Sequence, residues 1–292
     1  ALVSENVTCL LDYERYKYIK ENSYRYSVRK LTKILKVSNS GYYAYLLRKK
    51  GNRNLENEII SENIEKIFYE NKRRYGSRRI LVELINQGIF INIKRVKRLM
   101  QQLNLRSVYN SKRRKKYKCS KSLYFYSNLL KQEFRTDHKN TIWVGDITYI
   151  PIKNKMLYLS TFIDLYTKKV VGWSIDDNVR EEIVLSAIDK AIDKENPKSG
   201  FIVHTDRGSQ YTGHKFRNRV LSSGGIISNS RPGNPYDNAV IESFHKTIKT
   251  ELIYVEKFGD IEKAKNAIFE YIEMYYNTKR LHSSLGYLSP IQ

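Results

Sequence analysis

Cysteine, proline and tryptophan are scarce in this chain of 292 residues, which has two, five and two of them. Two cysteines, Cys9 and Cys119, cannot build a disulfide framework or a multi-thiolate metal site, a usage that fits a reducing cytosol. No apolar run approaches the roughly 18 residues a membrane-spanning helix needs, and no signal-peptide pattern opens the chain, so no membrane partner is expected. A Walker-type glycine loop is missing, and Ser209 has no Gly-x-Ser-x-Gly elbow around it, which removes ATPase and serine-hydrolase readings. Acid is scarce in one half only. Residues 1–140 carry 33 basic and 12 acidic side chains, whereas residues 141–292 carry 20 and 18. A polycationic front half joined to a nearly neutral back half predicts a binding module on a folded core. The natural polyanion is nucleic acid, because neutralising phosphates releases counterions. A hydrophobic content of 41% is enough for packed cores.

The front half reads as short helices. Residues 27–47 predict two of them, broken at Val37–Ser38–Asn39, with Ser27 as N-cap and Val28, Leu31 and Leu35 on one face. Residues 75–105 predict a second pair, the first capped by Ser77 and stopped by Gly88, the next capped by Asn92. In that last helix Val96, Leu99, Met100 and Leu103 form an apolar stripe, and Lys94, Arg95, Lys97 and Arg98 surround its first turns. Helix, short turn and basic amphipathic helix is what a helix-turn-helix needs to present cations to a DNA groove. The plainer alternative is a solvated basic face on a helical bundle. Residues 111–121 hold seven Lys or Arg, Arg113 and Arg114 among them, and no acid. Self-repulsion extends such a tract, which we read as a basic strap along a phosphate backbone.

From Ile142 the texture changes. Residues 142–152, 157–164, 170–175, 201–205 and 226–228 read as strands, and 181–194, 213–223 and a segment from about Asn238 as helices. Three hairpin strands followed by strand–helix alternation predict an α/β mixed sheet flanked by helices. In that frame Asp146 lies in the first strand, Asp206 ends a strand, and Glu242 opens a helix, with 35 residues between the last two. Carboxylates gathered from different elements suit hard, oxygen-ligated cations such as Mg2+. Two such ions about 3.5–4 Å apart can activate an attacking hydroxyl and stabilise the leaving oxygen of a phosphoryl displacement. The plainer reading is three solvated or paired acids among 30. Lys246 and Lys249 follow Glu242 at helical spacing, so they are expected to be solvated until they hold DNA beside the acids. Asp164 is expected in a structural turn, and Asp237 as a helix N-cap. His204 is either close to the metal or packed and hydrogen-bonded. Glu242-x-x-His245 has di-iron spacing but no second copy.

The words around these acids are specific. Trp143-x-x-Asp146-Ile147-Thr148-Tyr149, His204-Thr205-Asp206-Arg207-Gly208-Ser209-Gln210-Tyr211 and Pro232-Gly233-Asn234-Pro235-Tyr236-Asp237-Asn238-Ala239-x-x-Glu242-Ser243-Phe244 resemble signatures of insertion-sequence transposases of the DDE, retroviral-integrase superfamily. The likeness is to the orf B product of the insertion-sequence-three family. Tyr75-Gly76-x-Arg78-Arg79-Ile80 with Lys94-Arg95-Val96-x-Arg98-Leu99-Met100 resembles that family's helix-turn-helix. Tyr276-Asn277-x-x-Arg280-x-His282-x-x-Leu285-Gly286-Tyr287-x-x-Pro290 resembles its tail. The resemblance implies an RNase H-like α/β catalytic core preceded by all-α helix-turn-helix DNA-binding modules. It implies that Asp146, Asp206 and Glu242 are catalytic and bind two Mg2+ or Mn2+ ions. It also implies DNA cleavage by water, then strand transfer by the freed 3′-hydroxyl. The implied partners are double-stranded DNA, as terminal repeats and target, a homo-oligomer on that DNA, and an upstream-frame partner or fusion. The histidine/cysteine zinc module of retroviral integrases is missing.

The expected organisation is a helix-turn-helix-like module at 1–55, a second helix-turn-helix at 56–110, a basic linker at 111–137, the catalytic core at 138–255 and a helical extension and tail at 256–292. The expected function is DNA transposition in a prokaryotic cytoplasm, associated with the nucleoid. The rivals are a DNA-binding regulator without catalysis and a structure-selective nuclease on the same fold.

Overall fold

The computed structural model describes residues 11–47, 52–108, 126–130, 136–153, 155–231 and 238–292. The basic strap with Arg113 and Arg114, both cysteines and Asp237 lie outside the described residues. The chain divides into two compact units, Ala1–Glu62 and Asn63–Gln292.

In the first unit, α1 (Asp12–Asn22), α2 (Val28–Ile34) and α3 (Asn39–Leu47) enclose Ile19, Leu31, Leu35 and Tyr42. The expected break between α2 and α3 forms where Lys36 takes a left-handed φ of 55°. The buried Thr32 hydroxyl then bonds the Asn39 side chain across the turn. α4 (Asn52–Glu70) carries the boundary between the units.

The second unit opens with the helix pair α5 (Ser77–Asn86) and α6 (Ile93–Gln102). Ile80 and Leu84 of α5 and Val96, Leu99 and Met100 of α6 are buried, each worth on the order of 1.5–3 kcal/mol of hydrophobic burial. Gly88, at φ +81°, stops the first helix as expected. Asn92 caps the second, its side chain accepting from the Lys94 amide at 2.8 Å. The N-cap of α5 is Gly76 rather than Ser77, so that helix starts without a side-chain cap.

The rest of the unit is one five-stranded sheet, with β1 (Ile142–Ile152), β2 (Lys155–Asp164), β3 (Val170–Asp176), β4 (Ile202–Thr205) and β5 (Ile226–Asn229) in the order β3-β2-β1-β4-β5. β1 pairs antiparallel with β2 and parallel with β4, and β4 runs parallel to β5. This is the RNase H-like arrangement. The period of two decides what each face holds. Trp143 and Ile147 face a core shared with α7 (Glu181–Glu195), α8 (Ser209–Thr212) and α9 (His214–Ser222). Ile142, Val144 and Ile150 face a second core built with α10 (Ala239–Ile248) and α11 (Ile261–Phe269). Asp146 shares the parity of that second face. Gly145 is required on the first, because a Cβ there would collide with the Phe162 ring on the paired strand.

Two short elements escape the alternation. β2 begins at Lys155 rather than 157, since Lys155 and Met156 pair with Ile152 and Pro151 while both remain exposed. α8 is a single turn that burial alone does not announce.

A buried ion cluster joins the helix pair to the sheet within this unit. After α10 the helix widens into a π-helical turn, Lys249–Ile253, and carries Glu251 inward until its side chain has no exposure. Glu251 accepts from Arg280 at 2.9 Å and from the Tyr271 hydroxyl at 2.9 Å, and Arg79 of α5 stands 3.6 Å away. Arg74 donates to the Glu251 carbonyl at 3.2 Å, and the Tyr75 hydroxyl donates to the Lys279 carbonyl at 3.1 Å. Buried charges of this kind are held by complete pairing, so removing one partner is far costlier than any single contact suggests.

Candidate active site

Strand order brings the three predicted acids to one end of the sheet. Gly145 pairs with Thr205, the last residue of β4, so Asp206 emerges beside Asp146, which lies within the longer β1. α10 packs on the same face of β1 that Asp146 occupies, its Ile241, Phe244 and Ile248 buried in the shared core. Helical geometry then turns Glu242 and His245 toward the strand end.

Each acid has its own environment. Asp146 Oδ1 accepts from the Ile147 amide at 2.8 Å, and Oδ2 lies 3.3 Å from His245 Nδ1. Asp206 Oδ1 accepts from the Gly208 amide at 2.9 Å. Burial, then the neighbouring Asp146 charge, push the Asp206 carboxyl up to about 6 from its ordinary 3.8, against that amide bond. Glu242 is exposed, yet desolvation and then Asp146 raise its carboxyl too, while His245 pulls it down. Asp146 is thus in electrostatic contact with both other acids. Among the described residues no group of three or more His, Cys, Asp or Glu side chains closes round a single point. The donor set is nevertheless all carboxylate, with two members raised by burial and then by the Asp146 charge, a cost that a hard divalent cation relieves.

The lysines divide. Lys246 is exposed, but Lys249 is half-buried where α10 gives way to the π-helical turn, contrary to the expectation that both are solvated. Desolvation lowers the Lys249 ammonium and the Asp146 charge opposes that shift, so this lysine is within electrostatic reach of Asp146.

His245 is the residue the sequence reading missed. Its Nε2 lies 2.9 Å from the buried Thr161 hydroxyl and its Nδ1 faces Asp146, so the ring is fixed between the two. Thr161 is the register partner of Asp146 on β2. The three-residue step from Glu242 was the available signal. Tyr211, fully enclosed, has its hydroxyl raised well above the usual range by burial and then by Asp146 and Asp206. His204 is packed: its ring nitrogens meet Ser228 and Ser230 hydroxyls at 2.8 and 3.1 Å. Asp164 is a structural turn residue, accepting from the Asn140 amide and from both the amide and hydroxyl of Thr167. On α6, Lys94, Lys97 and Arg98 are exposed and Arg95 is partly buried.

Comparison with known proteins now decides the family. Residues 136–235 match the integrase core domain, 224–290 a second integrase core domain family, and 54–115 an HTH-like domain. The transposase for insertion sequence element IS904 of Lactococcus lactis subsp. lactis (strain IL1403) is 44% identical over 83% of this chain and 96% of that protein. Transposase InsF for insertion sequence IS3A of Escherichia coli (strain K12) is 32% identical over 95% and 97%. The chain belongs to the insertion-sequence-three family of DDE transposases. Solved structures similar to this transposase include the HTLV-2 integrase catalytic core domain in complex with magnesium, at TM-score 0.41, 18% identity and coverage of 54% of this chain and 98% of that one. The intasome of simian T-cell lymphotropic virus with a PP2A regulatory subunit gives TM-score 0.46 at 16% identity, covering 73% and 69%. The transposase is a polynucleotidyl transferase acting on DNA, and no helix among its described residues is long and apolar enough to cross a membrane.

Proposed function

We propose that Asp146, Asp206 and Glu242 are the catalytic carboxylates with which this transposase cleaves the ends of its insertion sequence and joins them to target DNA. The observation that carries this is the position of Asp146, coupled to Asp206 on one side and to Glu242 on the other. Two pairs sharing one member suit two divalent ions, Mg2+ or Mn2+, which these three carboxylates would hold. Such ions, when bound, lower the charge barrier to in-line attack on a phosphodiester. Water attacks phosphorus and the element's 3′-oxygen leaves with a proton. That 3′-hydroxyl then attacks a target phosphodiester, whose own 3′-oxygen departs. His245 holds the Asp146 carboxylate in place throughout, as outer partners commonly orient metal-binding groups.

In this reading the modules at 1–55 and 56–110 recognise the terminal repeats, Lys94, Arg95, Lys97 and Arg98 forming part of the contact. Arg113 and Arg114 of the 111–137 linker follow the backbone. The core at 138–255 holds DNA at its acids with Lys246 and Lys249, and 256–292 closes the second core. The transposase works as a homo-oligomer on DNA in the bacterial cytoplasm, with an upstream-frame partner or fusion. The experiment is incubation of the protein with labelled element-end duplex and Mg2+. Joined product supports the proposal, nicks alone select a nuclease, and binding without either selects a regulator. Asp146→Asn, Asp206→Asn and Glu242→Gln should each abolish joining while leaving end binding nearly intact.

A further inference from the structure

On the side of α10 away from Glu242, a cleft of about 930 Å3 lies between that helix, the start of α5 and the C-terminal tail. Ser243 and Thr247 of α10 line it, 100° or more around the helix from Glu242 at 3.6 residues per turn, so it is separate from the acid site. Six cations line the cleft: Arg74, Arg78, Arg79, Lys97, Lys168 and Arg280. Among the described residues no Asp or Glu lines it.

One buried carboxylate stands against six cations, so the cleft keeps a net positive charge. Glu251, the buried carboxylate beneath, is engaged by Arg280, Arg79 and the Tyr271 hydroxyl. Arg74 stacks over Tyr271 and Tyr275. The Lys168 ammonium donates to the Leu165 carbonyl, and desolvation lowers it despite Asp164. His282, in the cleft wall, has Arg280 3.3 Å from its Nε2 and is pushed down to about 3 by burial and then by Arg280, Arg79 and Lys168. The first turns of α5 and α10 also line the cleft, and neither has a side-chain cap bond, so amide donors and two positive helix ends add to the cations. Such a surround selects a phosphate.

We propose that this cleft seats a backbone phosphate of element-end DNA, in a contact separate from the α6 surface and from the acids. The inference rests on the transposase reading above. Duplex DNA is the occupant because the walls join the two working parts: Arg78 and Lys97 come from the helix pair, Lys168 from the core and Arg280 from the tail that packs on it. Lys97 also continues the exposed row of Lys94 and Arg98, so a backbone followed along α6 leads into the cleft. A phosphate held against the first turn of α10 fixes the helix that carries Glu242. End recognition and active-site geometry are thereby coupled through one element.

The test is a scan of labelled element-end duplexes, each with one phosphate replaced by a neutral methylphosphonate, bound to the full chain across a salt series. Wild type should lose about fivefold in affinity at one or two adjacent positions at 0.1 M salt, as expected for a single phosphate contact. Arg78→Ala and Lys168→Met should each lower affinity by a similar factor and flatten the salt slope by about one. They should also erase the methylphosphonate penalty at those same positions. Lys168→Arg should restore it, and Lys198→Ala, on the exposed surface away from the cleft, should behave as wild type. Melting temperatures, measured alongside, separate contact from misfolding. Binding and cleavage with unchanged slopes and penalties in both variants overturns the cleft assignment alone. Absence of end binding and of cleavage in wild type overturns the transposase reading with it. Inorganic pyrophosphate that raises the melting temperature of wild type but not of Lys168→Met, with DNA slopes unchanged, replaces DNA by a free phosphate.

Discussion

Asp206→Asn should make the transposase more stable while making it inactive. Burial and the Asp146 charge raise the Asp206 carboxyl to about 6, against 3.8 in an unfolded chain. At 1.36 kcal/mol per pH unit, that gap is about 3 kcal/mol of native-state penalty once the group is ionised. Below pH 3.8 both states hold the proton and there is no penalty. Between 3.8 and about 6 the unfolded chain ionises while the folded one resists, so stability falls as pH rises. Above about 6 the penalty is complete. Asparagine removes the charge and keeps an oxygen for the Gly208 amide, so most of the penalty is recovered at pH 7.5. For a folded unit of this size each kcal/mol moves the midpoint by about 2–4 °C, which predicts a rise of about 5–10 °C. Scanning calorimetry with chelator at pH 7.5 and 4.5 reads the effect, and the gain should shrink to about 1 kcal/mol at the lower pH. Added Mg2+ should stabilise wild type but not the variant, by about 2.7 kcal/mol at a hundredfold excess over its dissociation constant. A variant no more stable than wild type at pH 7.5, or a gain independent of pH, would refute the argument that burial and the Asp146 charge raise this carboxyl.

Four further outcomes follow from contacts already described. His245→Ala should leave the buried Thr161 hydroxyl unpaired and cost about 2–4 kcal/mol. It should also weaken Mn2+ binding, read by titration, about 10–100-fold, with His245→Gln recovering part of both. Glu251→Gln strands Arg280 and Arg79 beside a neutral amide, and urea unfolding should show a loss of about 3–5 kcal/mol with end-DNA contacts on α6 intact. Asp164→Asn should lose about 1–3 kcal/mol in the same assay and retain cleavage, since its oxygens serve only the turn at Asn140 and Thr167. Lys249→Ala should slow cleavage more than Lys246→Ala does, because Lys249 is half-buried and feels the Asp146 charge while Lys246 is exposed, and each should flatten the salt slope of core binding by about one.

Much of this was legible because the relevant signals are local. β-branched runs marked the five strands within two residues and placed Asp146 in the first, and Asn92 announced its own helix by capping it. What the pattern could not carry is pairing across distance. Nothing near residue 161 says that Thr161 lies opposite Asp146, and so nothing says that His245 bridges them. Glu251 reads in sequence as one more acid on a helix beside lysines. Only the π-helical widening after Ile248 turns it inward to meet Arg280, 29 positions away, and Arg79 on another part of the chain. The predicted solvation of Lys249 failed for the same reason, since that widening moves it off the straight-helix face that spacing assumes.

The acids remain close despite their repulsion because the elements that carry them are fixed by other forces. Asp146 and Asp206 sit on neighbouring strands whose register is locked by four successive pairs, Ile142 to Gly145 against Ile202 to Thr205. Glu242 rides a helix whose Ile241, Phe244 and Ile248 are almost wholly buried in the core. Moving either carboxylate away would break ladder hydrogen bonds or expose that apolar face, so the structure retains the electrostatic cost instead. The same rigidity gives the cleft behind α10 its leverage. A helix that cannot yield on its apolar side couples a phosphate held against its first turn to the carboxylate that the same turn carries. A DNA end correctly seated by the helix pair and the acid site it must reach are therefore linked by fewer than ten residues of one helix.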